Sequence, residues 1–218
     1  MKKKILLIFL GVLFLVGCSN GKAFKESYEA LNGKKNSSGK IHRTITIDED
    51  NPFKEVSAEK IVKMIENKET FYVYFGDELC PWCRSVIEKF IEVAKKNDVN
   101  KVYYVKIWDE EGNEILRDKY KLDENNNPVL DSKGTEAYTK LLKYFDNVLS
   151  DYNLTSEDGK SIYANEKRIY APNFMYVEDG KCIKKAEGIS DKQKDAREEL
   201  SKEILEDEER LFNEFFKK

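Results

Sequence analysis

The chain has 218 residues, 40% of them hydrophobic and 12% aromatic, which is enough to bury one good core and points to a single folded domain. Lysine and arginine number 38 against 41 acidic residues. This mixed balance excludes a basic nucleic-acid surface and reads as ordinary solvated faces.

At the N-terminus Lys2, Lys3 and Lys4 precede an apolar run from Ile5 to Val16, and Gly17-Cys18 follows. A charged start, an apolar middle and a small residue at the cut describe a signal peptide over residues 1–17, the run being short for a membrane span. Leu15-Val16-Gly17-Cys18 resembles the bacterial lipobox. That resemblance implies lipidation of Cys18 and a lipid-anchored position on the extracytoplasmic face of a bacterial cell membrane. Outside the cytoplasm disulfides persist. With Cys18 set aside, Cys80, Cys83 and Cys182 remain, an odd number that fits one redox pair and one single thiol. Residues 18–40 are rich in Ser, Asn, Gly and Lys and read as a flexible tether, leaving residues 41–218 as the folded domain.

Ile41, Arg43, Ile45 and Ile47 alternate with polar partners as a first short strand, with His42 a surface residue at its start. Ser57 is placed to cap a helix whose buried face is Ile61, Val62, Met64 and Ile65. An aromatic β-prone strand, Phe71–Phe75, then runs through Gly76 and a polar turn to Cys80-Pro81-Trp82-Cys83. Val86, Ile87, Phe90, Ile91 and Ala94 continue from there at helical spacing.

Cysteines three apart in the first turn of a helix lie on one side of it, close enough for a small-ring disulfide. A helix N-terminus offers unpaired N–H groups and the positive end of the macrodipole, so Cys80 is the candidate nucleophile with a stabilised thiolate. Cys83, a turn further in, is placed to attack a mixed disulfide on Cys80. Pro81 suits a first helical position because its missing N–H costs nothing there. A zinc site would need about four ligands, with only Cys182 and His42 to add. A purely structural bridge across two residues would gain little loop entropy.

Val102–Trp108 is a further continuous β-prone run, completing a β, α, β, α, β order that favours a parallel sheet with right-handed crossovers. Residues 109–170 then form a long insertion. Tyr138, Leu141, Leu142, Phe145, Val148 and Leu149 predict a helix over about 135–149, with a weaker helical piece at Ile115–Tyr120. Asn125–Pro128 and Ser156–Gly159 read as turns. Pro172 opens an apolar strand ending at Asp179-Gly180, and Lys181–Ala186 pairs back on it as a hairpin. Residues 191–216 carry Ala196, Leu200, Ile204, Leu211 and Phe215 as the stripe of a last, charged helix.

The strand–turn–Cys80-Pro81-Trp82-Cys83–helix block, followed by the strand opened by Ala171-Pro172, resembles the thioredoxin superfamily. The resemblance implies an α/β thioredoxin-like fold: a central mixed sheet flanked by helices, here with a helical insertion before the strand led by a cis-proline. It implies a Cys80–Cys83 redox disulfide, a cis Ala171–Pro172 bond, and client backbone pairing beside Ala171 and Pro172 with Trp82 as an apolar contact. No cofactor or metal is implied, since the sulfur pair itself carries two electrons. The partners implied are protein thiols or disulfides and a membrane redox partner. Cys182, beyond the Asp-Gly turn, falls at the opposite end of such a sheet and reads as a packed residue.

Within the superfamily, the Cys-Pro-Trp-Cys core with a long insertion is similar to bacteriocin-transport accessory proteins of Gram-positive bacteria. Two positions depart from thioredoxins. Tyr74 stands where they keep a buried acid, leaving Asp77 or Glu78 to serve through water, and Pro81-Trp82 replaces Gly-Pro. The intervening pair tunes the potential, so reductase and oxidase both remain open. The expected function is that of a membrane-anchored thiol–disulfide oxidoreductase. The rival reading is a surface adaptor of the same fold without turnover.

Overall fold

The computed structural model describes residues 20–109 and 112–217. The expected signal segment, Cys18 included, lies outside them. The elements are α1 (Asn20–Glu29), β1 (Phe53–Glu55), α2 (Ala58–Glu66), β2 (Phe71–Gly76), α3 (Pro81–Lys96), β3 (Val102–Lys106), β4 (Lys119–Leu122), β5 (Pro128–Ser132), α4 (Glu136–Tyr144), β6 (Ser150–Thr155), β7 (Ser161–Arg168), β8 (Asn173–Glu178), β9 (Lys181–Ala186) and α5 (Lys202–Phe216). Five strands form a central mixed sheet in the order β1-β3-β2-β8-β9. The first three are parallel, and β8 and β9 join antiparallel. The chain is thus a mixed α/β protein.

Both faces of the sheet are covered, so its strands read as apolar runs rather than alternating ones. Side chains still alternate between two cores. Phe71, Val73 and Phe75 of β2, with Met175 and Val177 of β8, pack under α2 and α4. Tyr74 and Phe174 face the other way, against α1, α3 and α5. Aromatic rings dominate that second core, with Phe90 stacked on Phe174 at 4.0 Å and Phe24 on Phe53 at 4.1 Å between centroids.

Several expectations are corrected. The segment expected to be a tether over 18–40 contains α1, whose Phe24 and Tyr28 are both buried. They lie four apart on one helix face and insert into the aromatic core, an anchor strong enough to order a stretch of otherwise polar composition. Ile41–Ile47 is not a strand. Ile45 and Ile47 are buried as their alternation predicts, but their N–H groups are taken by side chains, Asn32 Oδ1 at 3.1 Å and Glu29 Oε1 at 2.7 Å. The first strand of the sheet is β1. His42 is buried rather than at the surface.

The insertion is mostly β-hairpin rather than helical. α4 is present within the expected span, but the piece expected at Ile115–Tyr120 is not helical and β4 begins at Lys119. β4–β5 and β6–β7 form two separate antiparallel ribbons. Their turns close alike. Asp123 Oδ1 accepts from the Asn125 and Asn127 N–H groups at 2.9 and 2.8 Å, and Ser156 Oγ accepts from Lys160 N–H at 3.0 Å. Such side-chain-to-backbone bonds fix a turn without long-range help. The last helix starts at Lys202 with Ser201 as its cap, eleven residues later than predicted, and its buried face is Ile204, Glu208, Phe212, Phe215 and Phe216. It docks across α3 and the sheet.

Candidate redox site

β2 delivers the chain to a tight turn at the C-terminal end of the parallel strands. Asp77 Oδ1 accepts the Leu79 N–H at 2.8 Å, and the Asp77 carbonyl accepts from the Cys80 N–H at 3.2 Å. Cys80 is the N-cap of α3 and Pro81 opens the helix. In the place of a capping oxygen stands sulfur: the Cys83 N–H donates to Cys80 Sγ at 3.4 Å. Cys80 is half-buried and Cys83 fully buried, and both stand as free thiols.

Position separates the two thiols chemically. Cys80 is held below the ordinary thiol range, first by a hydrogen bond from the Cys83 side chain and then by the N–H groups of Cys83 and Trp82, against the cost of burial. Cys83 is pushed well up, first by burial and then by its neighbour. An accessible sulfur with a stabilised thiolate therefore sits against an inaccessible one that keeps its proton.

Ala171 and Pro172, 91 residues downstream of Cys80 and beyond, arrive beside this pair at the head of β8. Their peptide bond is cis, and the Cys80 thiol donates to the Ala171 carbonyl at 3.5 Å. Trp82 is half-buried in the first turn of α3, its carbonyl accepting from Ser85 Oγ at 2.9 Å. The structure thus brings Cys80, Trp82, Cys83, Ala171 and Pro172 to one place.

Cys182 lies elsewhere. Its partner in the ladder is Val177, which pairs with Phe71 at the opposite end of β2 from the Cys80 turn. It is buried, and burial pushes its thiol up to about 12. His42 is buried, its imidazole held below its ordinary range by burial and then by Arg84 and Arg197.

Around the pair stand the two acids that the sequence offered, Asp77 and Glu78, together with groups that it did not flag. Asp77 is buried, and burial followed by the nearby Glu78 pushes its carboxyl up to about 6. Glu78 accepts from Tyr104 Oη at 3.2 Å and pairs with Lys106 at 3.3 Å. A cleft of about 770 Å³ opens on the outer side of this turn, with Glu55, Asp77, Leu79, Lys106, Trp108 and Ile115 in its wall. Arg84, the residue after Cys83, is completely buried. Its guanidinium donates to the carbonyls of Tyr28 at 2.7 Å, Arg43 at 3.0 Å and Glu78 at 3.3 Å, and to Asn32 Oδ1 at 2.7 Å. It fastens α1, the extended 41–47 segment and the turn before Cys80 to one helix.

Among the described residues, no three His, Cys, Asp or Glu side chains converge as a metal site. Among the same residues, no helix is long and apolar enough to cross a membrane. No protein-family model matches the chain. A search of curated proteins found no match either.

Proposed function

We propose that this protein is a thioredoxin-like thiol–disulfide oxidoreductase acting on protein cysteines, tethered through a lipid on Cys18 to the extracytoplasmic face of the cell membrane. One observation carries the reading. A helix-capping thiol with a stabilised thiolate accepts from the N–H of the buried Cys83 at 3.4 Å and lies within hydrogen-bond reach of the Ala171 carbonyl.

In the reducing direction the Cys80 thiolate attacks a client disulfide, forming a mixed disulfide and expelling one client thiolate, which takes a proton from water. Cys83 loses its proton and attacks Cys80 Sγ. The Cys80–client bond breaks, the second client sulfur leaves with the electron pair and is protonated, and the Cys80–Cys83 disulfide remains. The client has gained two electrons and two protons. Oxidation of a client dithiol is the same path reversed, and a membrane redox partner resets the pair. In this reading the client chain lies along Ala171 and Pro172 as an added strand, with Trp82 against it. The sulfurs carry the electrons themselves, so no cofactor enters.

The test is turnover of insulin disulfides with a thiol reductant, together with oxidative refolding of a reduced protein, for wild type and Cys80→Ser. Wild-type turnover in one direction is expected, reduced at least about a hundredfold in Cys80→Ser, because serine offers no thiolate at neutral pH. Absence of wild-type turnover in both assays would leave the adaptor reading.

A further inference from the structure

Behind Cys83 the second core contains two phenols in mutual contact. Tyr28 Oη of α1 and Tyr74 Oη of β2 are 2.9 Å apart, and both side chains are completely buried. Gly76, two residues along the same face of β2, makes room for this arrangement: a Cβ there would overlap the ring and hydroxyl of Tyr74. The Tyr74 phenol lies in the same core as Cys83, and as a neutral donor it is one of the influences that hold the Cys83 thiol down against burial.

Each hydroxyl has one proton to give. If Tyr74 gives its proton to the Cys83 sulfur, the proton between the phenols belongs to Tyr28, and the Cys83 S–H is free for Cys80. Burial holds both phenols far above neutrality, so they act only as neutral donors. The other polar groups around the sulfurs are Asp77, whose backbone also hydrogen-bonds to Cys83, Glu78, which accepts from Tyr104 of β3, and Arg84 on α3, whose guanidinium is taken up by the Tyr28, Arg43 and Glu78 carbonyls and the Asn32 amide.

We propose that Tyr28 and Tyr74 are positioning residues of the redox site, forming a hydrogen-bond relay Tyr28 → Tyr74 → Cys83 → Cys80 that ends on the reactive sulfur. Each donor polarises the next, so a relay strengthens its last bond beyond a single pair. The inference rests on Cys80 being the nucleophile and extends that reading to α1, which supplies the first donor. The helix nearest the membrane anchor is then a working part of the site.

The experiment is the rate of Cys80 alkylation by iodoacetamide, read by mass spectrometry between about pH 5 and 9, a window spanning the ionisation of perturbed thiols. The proteins are wild type, Tyr74→Phe and Tyr28→Phe. At the acid end, where only the thiolate fraction reacts, the rate is expected to fall about threefold in Tyr74→Phe and about twofold in Tyr28→Phe, as the Cys83–Cys80 bond loses polarisation from its nearest donor or from the one behind it. The profiles should converge at the alkaline end. A merely structural role would instead speed alkylation at every pH and expose Cys83.

Tyr28→Phe removes one hydroxyl and decides the matter alone if Tyr74→Phe does not fold. A Tyr28→Phe profile superimposable on wild type, or a rise at all pH, overturns the relay. Shifted profiles in a protein without turnover would uphold the relay and remove the enzyme. Turnover with unshifted profiles would do the reverse.

Discussion

Arg84→Ala is expected to destabilise the protein by roughly 3–5 kcal/mol, the range for breaking a buried hydrogen-bond network. The arginine is completely buried, and the oxygens it meets at hydrogen-bond distance are the carbonyls of Tyr28, Arg43 and Glu78 and the amide of Asn32, not carboxylates. Burial therefore costs the guanidinium dearly, and donors fixed in one plane recover that cost. Truncation leaves four oxygens short of a donor and opens a cavity between α1 and α3. Arg84→Lys should recover little, because one ammonium cannot span the same four acceptors. Denaturant unfolding measures the loss, and hydrogen exchange should show the amides of residues 28–47 opening first. A loss under about 1 kcal/mol would mean that water replaces the guanidinium and that the network is dispensable.

The second large effect is of opposite sign. Glu208 is completely buried on α5, and neither carboxylate oxygen has a hydrogen-bond partner among the described residues. Burial pushes its carboxyl up to about 8, Lys89 and Arg43 offsetting only part of the cost. The folded chain therefore holds a proton that the unfolded chain releases at much lower pH. Stability from this group is fully present below its unfolded value of 4.5, falls as pH rises, and is flat above about 8. Glu208→Leu removes the dependence. It should be more stable than wild type by about 4 kcal/mol near pH 8.5, with the difference shrinking toward pH 5. Equilibrium unfolding at several pH values reads this directly. A constant difference across that range would show that Glu208 does not titrate in the fold.

The parts of the fold that were legible are those that local chemistry dictates. A capped helix, an aromatic strand, a Cys-Pro-Trp-Cys run and an Asp-Gly hairpin each declare themselves within a few residues, and the sulfur pair lies where the strand–turn–helix pattern puts it. The meeting of Cys80 with Ala171 followed from the resemblance alone, since nothing in the spacing of residues 91 apart announces it. Alternation at Ile45 and Ile47 identified their buried side correctly. It could not tell that Asn32 and Glu29 side chains, rather than a neighbouring strand, would take the backbone N–H groups. The hairpins of the insertion escaped because a strand such as Pro128–Ser132, exposed on both faces, has no hydrophobic period.

The supporting residues were hidden for a different reason. Arg84 and Glu208 are charged types that rarely go inside, so residue type alone does not point to their burial. Phe24 and Tyr28 sit in a stretch whose glycines, lysines and serines outvote them in any composition window. Their roles depend on distant partners, Phe53 for Phe24 and Tyr74, 46 residues away, for Tyr28. Contacts at that range are a property of the assembled core and leave no mark in local pattern.

In the proposed cycle Cys80 and Cys83 form a reversible pair from which Cys182 is excluded. Equilibrating the protein with glutathione buffers from reducing to oxidising, then mapping disulfides by mass spectrometry after acid quenching, tests it most directly. A single protein disulfide, Cys80–Cys83, is expected to form and revert with the buffer while Cys182 stays a thiol throughout. Failure of that bond to form at any ratio, or a bridge to Cys182 instead, would contradict it.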